Sequence, residues 1–465
     1  MKIAVAGASG FVGKALIQEL KKSHQVIALS RSAKKAKSDS EVEWRACDLF
    51  SLLDAEKALK DVDVAIYLVH SMRPSAHLTQ GTFDDFDLIV ADNFVRAAEK
   101  NHVKQIIYLG GMRPDNAPDL SRHLRSRWEV EEVFKNSTIP ATVLRAAIIL
   151  GPEGSSFQIM ARLVARLPLM ICPSWTNTLS QPVALKDVVQ SILYCAENGD
   201  TYNKVFDIGG TAISYREMMQ KIADQMGLKR SMLRFPFLTP QLSTLWVCLI
   251  TQAPWSLVSP LVKGLRYDLL IDPKRALVIP NHNFADVDMA LKEALIDYDP
   301  HKKPLAFKGT EVGKHVVRSV QRLPLPPGKT AESVAHAYLD FLPTLPAFLK
   351  VDVEGRWVYF RWRFPDTKLL VLEYAPERSW SHRQLFYVRG GLLAAKTERG
   401  RLEFREILGG KAVIAAIHDF VPRMPWYVYR WTQAYFHLWV MKQFGRYLKR
   451  NKKQRPNKRQ IPRPS

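Results

Sequence analysis

The sequence predicts an α/β doubly wound parallel sheet over residues 1–298 and a separate α+β domain over residues 312–450. Near-continuous apolar runs such as VDVAIYLV, at 62–69, alternate with helical patterns, and a glycine-rich turn follows the first run. Strands that are apolar on both faces and separated by helices are typical of a parallel sheet covered on both sides. The second part is predicted by successive strand candidates that end in one long helix.

The elements of the first part follow from local periodicity. Over residues 11–21 apolar residues repeat at helical spacing, with Val12, Leu16 and Leu20 on one face. Further helices are predicted over residues 83–101, 123–135, 184–197 and 215–226. Short apolar runs predict strands over residues 2–6, 25–29, 62–69, 105–109, 142–150 and 205–208.

Residues 235–262 form a stretch of 28 residues without a charge, which has the length of a membrane span. Pro236, Pro240, Pro254 and Pro260 interrupt it, so the longest proline-free piece has 13 residues. Such a piece is about 20 Å long as a helix, whereas the apolar core of a bilayer is about 30 Å thick. The stretch therefore predicts two buried helices under a lid, or a hairpin that dips into a surface, rather than a transmembrane helix.

A polar linker is predicted over residues 299–311, and the pattern changes after it. A helix is predicted over residues 330–342. Strands separated by hairpin signals are predicted over residues 357–364, 368–374, 384–388, 401–407 and 411–420. A long aromatic helix over 425–450 closes this domain, and a basic tail covers 451–465.

The net charge is +22, from 67 Lys and Arg against 45 Asp and Glu. Ten basic residues and no acid lie between Lys442 and Ser465. Two alternatives follow: a solvated tail, or a tail attracted to an anionic membrane surface. Nucleic acid is the less favoured partner.

The four cysteines lie far apart and never form a CxxC pair, which argues against a disulfide scaffold and against a zinc site. No metal site is therefore predicted. The first residues form a strand pattern rather than a signal peptide. We expect a cytoplasmic protein, peripheral on the inner face of the cell membrane if the tail binds lipid.

The glycine-rich segment GASGFVG, at residues 7–13, follows a predicted strand and opens a predicted helix. Gly7 permits the tight turn, Gly10 lets the backbone approach a pyrophosphate, and Gly13 lets the helix lie close to the strand. The helix N-terminus then presents N–H groups and a partial positive charge to phosphate oxygens. The residues predicted to contact a dinucleotide here are Gly7, Ser9, Gly10, Phe11, Val12 and Gly13.

The GxxGxxG spacing and several later segments resemble the extended and atypical short-chain dehydrogenase/reductase superfamily, which has the Rossmann fold. The later segments are TVLR at 142–145, Gly151-Pro152, PVALKDV at 182–188 and FDIGG at 206–210. More narrowly, YLVHSM at 67–72 and HLRSR at 123–127 resemble the NmrA-like group, and within it bacterial proteins that join an atypical NAD(P)-binding domain to a C-terminal DUF2867 domain. The NAD(P)-binding accessory subunit of respiratory complex I is similar at a greater distance.

This resemblance covers about residues 1–298 and implies further contacts. Asp48 and Leu49 stand where the family approaches the adenine. Val69 and His70 end the fourth strand, where the family's chain passes the adenine and ribose. DUF2867 domains resemble the helix-grip, START-like fold, in which a curved antiparallel sheet wraps a long C-terminal helix around an apolar cavity. Residues 312–450 fit that order, which implies an apolar small molecule as ligand.

The end of the second strand indicates which nucleotide binds. An NAD-specific site places Asp or Glu there to hold the ribose hydroxyls. Here Arg31 follows the strand, Lys34 and Lys35 come next, and no acid occurs before Asp39. A guanidinium can pair with a 2′-phosphate that a carboxylate would repel. NADP(H) is the expected cofactor; NAD(H) is the alternative, in which Arg31 only stacks on the adenine.

Dehydrogenases of this superfamily use a Ser–Tyr–Lys set that this chain lacks. Arg127 takes the place of the Lys, His123 that of the Tyr, and glycines at 110–111 that of the Ser. In one hypothesis His123 is the proton donor, because imidazole titrates near neutrality, and Arg127 holds ribose or phosphate oxygens from the same helical face. His70, Ser71 and Met72 are further candidates near the nicotinamide.

Two functions are therefore expected. The first is an NADP(H)-binding oxidoreductase or isomerase that acts on an apolar substrate such as a quinone or a lipid. The alternative is a non-catalytic NADPH-binding sensor or assembly factor at the membrane surface. The sequence leaves the oligomeric state open.

Overall fold

The computed structural model describes residues 1–31, 41–70, 78–114, 120–235, 239–296, 298–299, 316–345 and 349–450. Two compact units are distinguished: Met1–Met72 with Val90–Phe307, and Arg73–Ile89 with Lys308–Ser465. Residues 73–89 thus group with the second unit, whereas their sequence pattern placed them in the first domain. Outside the described residues lie Lys34, Lys35, Asp39, Ser71, Met72, most of the predicted linker and the tail over 451–465.

Strands occur in both units. In chain order they are β1 (Lys2–Ala6), β2 (Gln25–Ser30), β3 (Val42–Ala46), β4 (Val64–Tyr67), β5 (Leu78–Gln80), β6 (Gln105–Gly111), β7 (Ala141–Ala146), β8 (Ile149–Leu150), β9 (Leu169–Cys172), β10 (Leu179–Ser180), β11 (Val183–Ala184), β12 (Val205–Ile208), β13 (Ile213–Ser214), β14 (Ser231–Arg234), β15 (Val317–Pro324), β16 (Leu349–Glu354), β17 (Trp357–Trp362), β18 (Thr367–Tyr374), β19 (Arg383–Gly390), β20 (Arg401–Ile407) and β21 (Ala412–Phe420).

The α-helices are α1 (Phe11–Leu20), α2 (Leu52–Ala58), α3 (Phe83–Lys100), α4 (Arg122–Lys135), α5 (Ser155–Arg166), α6 (Leu185–Glu197), α7 (Tyr215–Gln225), α8 (Pro240–Thr251), α9 (Trp255–Gly264), α10 (Val287–Ile296), α11 (Ala331–Phe341), α12 (Trp426–Trp431) and α13 (Gln433–Arg450).

The first unit is built on a seven-stranded sheet in the order β12-β7-β6-β4-β1-β2-β3. Every neighbouring pair in it is parallel, so the predicted doubly wound parallel sheet is confirmed. The chain leaves β1 for β2 on one side and later returns to β4 on the other. In sheets of this kind ligands bind at the carboxyl ends of the strands, where the strand order reverses. Here that point lies between β1 and β4.

Successive side chains of the central strands serve opposite faces of this sheet. Val64 and Ile66 of β4 belong to a core that includes residues of α1 and α6. Tyr67 belongs to the other face, where its ring lies 5.1 Å from that of Phe94 in α3 and 4.9 Å from that of Phe134 in α4. Helices therefore cover both faces, as the apolar strands predict.

The rest of the first unit has two smaller cores. Residues of α5, α7 and α10 share one core with the short strands β8, β9 and β11. Residues of α8 and α9 contribute to another. The uncharged stretch over 235–262 thus forms two helices where it is described. Among the described residues, no helix combines the length and the apolar character needed to cross a membrane.

The second unit contains an eight-stranded sheet in the order β16-β17-β18-β19-β20-β21-β15-β5. The strands from β15 to β21 pair in antiparallel fashion. Strand β5, which precedes α3 in the chain, adds to the edge in parallel with β15, Leu78 opposite Val317. The sequence predicted β17 to β21 and missed β5, β15 and β16.

Two helical segments close the described part of the second unit, where the sequence predicted one helix. Helix α12 ends at Trp431, and α13 begins at Gln433. Phe444 of α13 is buried, and its ring lies 5.1 Å from that of Tyr338 in α11. The Tyr338 ring in turn lies 5.4 Å from Phe404 of β20. Aromatic contacts therefore join α11, α13 and the sheet in one core.

Candidate functional site

The glycine turn of the first unit has the geometry that the sequence predicts. Gly7 has φ +88°, and a Cβ there would lie 3.1 Å from the carbonyl of Leu68. A Cβ on Gly13 would lie 2.3 Å from the carbonyl oxygen of Gly7. Gly10 is exposed, and its N–H donates to Gly7 O at 2.8 Å. Gly7 and Gly13 are thus required by the fold.

Gly10 differs from Gly7 and Gly13, because a side chain at this position would enter more open space. Among the described residues, a Cβ there would meet the Gly7 carbonyl oxygen at 3.1 Å and no other heavy atom within 4 Å beyond its immediate neighbours. Gly10 is also the residue before α1, and no side chain of the described segments caps this helix. The first turn of α1, with Phe11 and Val12, and the half-buried Ser9 therefore border a space where phosphate oxygens could accept backbone hydrogen bonds.

A second loop packs against the start of α1. The Phe11 ring lies so close to Gly151 that a Cβ there would be 2.5 Å from its Cζ atom. Lys14 pairs with Glu153 of the same loop at 2.8 Å. Gly151 was noticed in the sequence only as part of a Gly-Pro motif. Its role is to make room for the Phe11 ring, so that this loop can pack against the start of α1.

Residues after β2 and β3 border the same edge of the sheet. Arg31 is exposed and follows the last residue of β2. The carbonyl of Ser30 accepts the N–H of Cys47 at 2.8 Å, so the chain after β3 stays beside the chain after β2. Burial raises the pKa of the Cys47 thiol, with nearby carboxylates adding to the rise. Arg31 therefore lies at the carboxyl end of β2, beside the edge of the sheet where the glycine turn follows β1, whereas Cys47 is a buried neutral thiol.

Asp48 and Leu49 form the turn that follows. Asp48 Oδ1 accepts the N–H of Phe50 at 3.2 Å. The carbonyl of Leu49 accepts a hydrogen bond from Asn93 Nδ2 at 2.9 Å. Asn93 is fully buried in α3 and was not singled out in the sequence, although an Asn on the apolar face of a predicted helix is a signal of such a contact. These bonds fix the backbone that the resemblance assigns to the adenine.

The structure brings His70 and His123 together. His70 follows Val69 beyond the end of β4, and His123 lies in the first turn of α4. His70 Nε2 lies 3.2 Å from His123 Nδ1, and the ring centroids are 5.0 Å apart. Both residues are half-buried. The sequence named both residues but did not predict this hydrogen bond.

Arg127 is held at the end of β6. Its Nη2 donates to the carbonyl of Leu109, and its guanidinium lies 5.2 Å from the centre of the Tyr108 ring. The Tyr108 hydroxyl donates to the backbone carbonyl of Arg127 at 3.2 Å. A Cβ on Gly111 would touch the Arg127 side chain at 3.4 Å. Arg127 therefore fastens α4 to β6, and its contact with a ribose stays a prediction.

Other charged residues of the recognised motifs are engaged in packing. Arg145 donates to both carboxylate oxygens of the buried Glu131, at 2.9 and 2.7 Å. Asp187 accepts the N–H of Ala285 and lies 3.0 Å from His282 Nε2. Burial raises the pKa of Asp207, against the effect of the Asp272 N–H and of Arg275. Among the described residues, no group of three or more His, Cys, Asp or Glu could hold a metal ion.

Comparison with known proteins agrees with this geometry. Residues 7–164 match the NAD(P)H-binding family. The auxiliary protein GraX of Staphylococcus aureus is 36% identical over 116 residues, which are 25% of this chain and 38% of GraX. Mitochondrial NADH dehydrogenase [ubiquinone] 1 alpha subcomplex subunit 9 of Arabidopsis thaliana is 24% identical over 311 residues, which are 64% of this chain and 74% of that protein.

A solved structure extends the likeness in fold. A nucleoside-diphosphate-sugar epimerase from Staphylococcus aureus superposes with a TM-score of 0.52 and 17% identity, over 63% of this chain and all of the epimerase. The expected distant similarity to a complex I subunit is confirmed. The first unit therefore has a Rossmann-like fold and matches an NAD(P)H-binding family over residues 7–164.

Proposed function

We propose that the first unit prefers NADP(H) to NAD(H) and uses it as a reductase. The open side of Gly10, at the start of α1, is the observation that carries nucleotide binding. Gly7, Gly10 and the first turn of α1 would hold the pyrophosphate. Arg31 supports the preference, because it stands at the strand end where an NAD-specific site has a carboxylate.

Bound NADPH would supply the hydride, and this chain would supply the proton. His123 would give it from Nε2 to the oxygen of an apolar carbonyl or quinone substrate. His123 Nδ1 is hydrogen-bonded to His70 Nε2, which fixes the ring and connects it to a second imidazole. After the transfer His123 would be neutral, with its remaining proton on Nδ1 donated to His70 Nε2, and a proton from solvent would restore Nε2. Arg127 orients His123 indirectly by fastening α4 to β6.

A second candidate is a protein that binds NADPH without turnover. The observation in its favour is the engagement of Arg127 with the Leu109 carbonyl and the Tyr108 ring, beside glycines in place of the superfamily's Ser. An Arg held in this way supports α4 but does not activate a neighbouring acid. In this candidate the His70–His123 contact would only stabilise the ends of β4 and α4.

Both candidates are tested with one experiment. NADPH and NADH binding are measured by calorimetry, and NADPH oxidation is followed against quinones and enones. His123→Gln is compared with His102→Gln, because His102 is exposed and follows α3 at the opposite end of the sheet. Turnover lost only in His123→Gln, with NADPH affinity retained, supports the reductase. Tight NADPH binding without turnover by the wild-type protein supports the second candidate.

We also propose that the second unit is a DUF2867 domain with the helix-grip, START-like fold. Its support is the topology: β15, then α11, then the meander from β16 to β21, then α13, with β15 beside β21. An apolar small molecule is its proposed ligand. Because Tyr338 contacts both Phe404 and Phe444 in the core, such a ligand would have to displace aromatic rings. Native mass spectrometry of the purified chain tests this, and a ligand-free protein would contradict it.

The C-terminal helices are proposed to attach the second unit to an anionic membrane surface. Tyr427, Trp431, Tyr435 and Trp439 are 71%, 67%, 58% and 40% exposed. They recur every four residues, and no acid occurs after Asp419. Tyr and Trp favour the headgroup level of a bilayer, and basic residues favour anionic lipids. The test is co-sedimentation with anionic liposomes, which should be lost on deletion of residues 449–465 and weakened by salt.

A further inference from the structure

Helix α8 of the first unit carries its large apolar side chains on its solvent side. Leu242, Leu245, Trp246 and Leu249 are 53%, 59%, 37% and 72% exposed. Their spacing of i, i+3, i+4 and i+7 puts them on one face of the helix. Together they form an exposed apolar face, which we call the α8 face.

The opposite side of α8 is buried although it is largely polar. Ser243, Thr244 and Thr251 are less than 4% exposed, and Val247 lies among them. The Thr251 hydroxyl donates to the carbonyl of Val247 at 2.6 Å, which satisfies it within the helix. A helix on a water-facing surface has the reverse distribution, with apolar residues inside and polar residues outside. The distribution of polar and apolar side chains on α8 is thus the reverse of that on a helix that faces water.

This orientation is fixed by packing on the first unit. Val247 shares a core with Val258 and Val262 of α9. The Arg166 guanidinium at the end of α5 donates to the carbonyl of Ile250 in the last turn of α8. A basic group at a helix C-terminus also stabilises the helix dipole. The four apolar side chains are therefore exposed although α8 itself is packed firmly against α5 and α9.

The charged residues that flank α8 most closely in the sequence are all basic. No charged residue occurs over 235–262, and no acid occurs between Asp224 and Asp268. Arg234 precedes the uncharged stretch, Lys263 follows it, and both are exposed. An apolar face in a segment flanked by exposed basic residues complements a layer of anionic headgroups above acyl chains. Helix α8 has 12 residues, about 18 Å, and is therefore suited to lie in the interface rather than to cross it.

We infer that the α8 face is a membrane-interface surface that enters the boundary between headgroups and acyl chains of a bilayer containing anionic phospholipid. It would bring the nucleotide-binding unit itself to the lipid, in addition to the attachment proposed for the C-terminal helices. The inference goes beyond the proposed reductase activity and stands without it. A surface for a second copy of the chain is the alternative occupant that the experiment must separate.

The first test compares two matched double variants of the full chain. Leu245→Ser/Leu249→Ser removes the two most exposed leucines of the α8 face, whereas Leu53→Ser/Val278→Ser removes exposed apolar side chains elsewhere in the first unit. Binding is measured by flotation with vesicles of phosphatidylglycerol and phosphatidylcholine. We expect the first variant to bind about tenfold more weakly or worse, because two leucines no longer leave water, and the second to bind as the wild-type protein does. Equal binding by all three proteins would overturn the inference.

The second test reports the depth of the α8 face. Leu249→Cys and, as control, Val278→Cys are labelled with an environment-sensitive fluorophore. We expect vesicles to shift the emission of the label at 249 to shorter wavelength, and lipids with a spin label on the acyl chain to quench it, with neither effect at 278. Trp431→Ser/Tyr435→Ser/Trp439→Ser tests the C-terminal helices separately. If vesicles neither shift nor quench the emission of the label at 249, the α8 face does not enter lipid. If the wild-type protein is a dimer and Leu245→Ser/Leu249→Ser is a monomer, the α8 face is instead a contact between two copies of the chain.

Discussion

His70 Nε2 and His123 Nδ1 lie 3.2 Å apart, so one hydrogen bond joins the segment after β4 to the first turn of α4. One of the two nitrogens must donate and the other must accept, so the rings cannot both present a proton to this bond. The two imidazoles of the pair therefore have different roles in this bond, one as donor and one as acceptor. It is this distinction, rather than the presence of either histidine, that makes the pair suited to moving a proton.

The first prediction concerns turnover. His123→Gln should lower NADPH-dependent reduction of an accepted quinone by about 10²- to 10⁴-fold, the range for loss of a general acid. NADPH affinity should stay within about twofold, since the glycine turn is untouched. His70→Gln should cause a smaller loss, because an amide can still bond to the His123 ring. Equal rates for His123→Gln and His102→Gln would contradict the assignment of His123 as proton donor.

The second prediction concerns the choice of nucleotide. Arg31→Asp should weaken NADPH binding far more than NADH binding, because it replaces a partner of the 2′-phosphate by a charge that repels it. The NADPH affinity of Arg31→Lys should lie between those of the wild-type protein and Arg31→Asp, since an ammonium keeps the charge and loses the bidentate geometry. Calorimetric titration with both nucleotides measures this. Equal losses for NADPH and NADH in Arg31→Asp would refute the NADP(H) preference.

The third prediction separates binding from folding in the glycine turn. Gly10→Val should abolish binding of both nucleotides while the protein stays folded, because the new side chain fills the space beside α1. Gly13→Val should unfold the first unit, since its Cβ would lie 2.3 Å from the Gly7 carbonyl oxygen. Gly199→Val is the control, because a Cβ there meets no atom of the part of the chain that the structure describes within 4 Å. Circular dichroism and nucleotide titration distinguish these outcomes, and nucleotide binding by Gly10→Val would count against the site.

The parallel sheet and the glycine turn were predictable because local patterns encode them. Apolar runs separated by helices indicate parallel strands, and three glycines between a strand and a helix indicate a phosphate turn. Strand β5 was missed, because three residues that precede α3 pair with β15, far along the chain. The hydrogen bond of His70 with His123 also depends on tertiary structure. Each residue was a candidate alone, but only the packing of α4 beside the end of β4 joins them.

The second unit illustrates another limit. Arg401, Glu403 and Arg405 alternate along β20 with apolar residues, a pattern that usually marks one side facing water. In the structure Glu403 and Arg405 are each 1% exposed. They form a buried network with Arg383 and His418 on neighbouring strands. Burial of such a side depends on what covers the sheet, which strand periodicity does not encode.

The fourth prediction follows from this network. Arg383 and Arg405 hold the pKa of Glu403 well below its usual range although burial acts against them. Glu403→Gln should therefore destabilise the protein by about 3–5 kcal/mol, because buried guanidinium groups lose a charged partner. The control is Glu373→Gln, which removes a more exposed pair with Arg389 and should cost about 1 kcal/mol or less. Urea unfolding measures both, and equal losses would show that the buried charge is not required.

The last prediction concerns stability below neutral pH. His418 is fully buried, and its pKa is lowered to about 4, first by burial and then by the nearby Arg401, against its hydrogen bond to Glu403. In the unfolded chain an unperturbed histidine titrates near about pH 6.5. As the pH falls from that value towards 4, the unfolded state binds a proton that the folded state does not, so stability is lost with acidification. The contribution is fully present above the unfolded value.

His418→Gln should remove this dependence. Between pH 7.5 and 4.5 the difference in unfolding free energy between the wild-type protein and His418→Gln should change by on the order of 3 kcal/mol, the wild-type protein losing relative stability as the pH falls. The comparison cancels groups that titrate alike in both proteins, and a glutamine can still donate a hydrogen bond to Glu403. His102→Gln provides the exposed control and should leave the difference flat. A flat difference for His418→Gln as well would mean that His418 is protonated in the folded state, paired as a cation with Glu403.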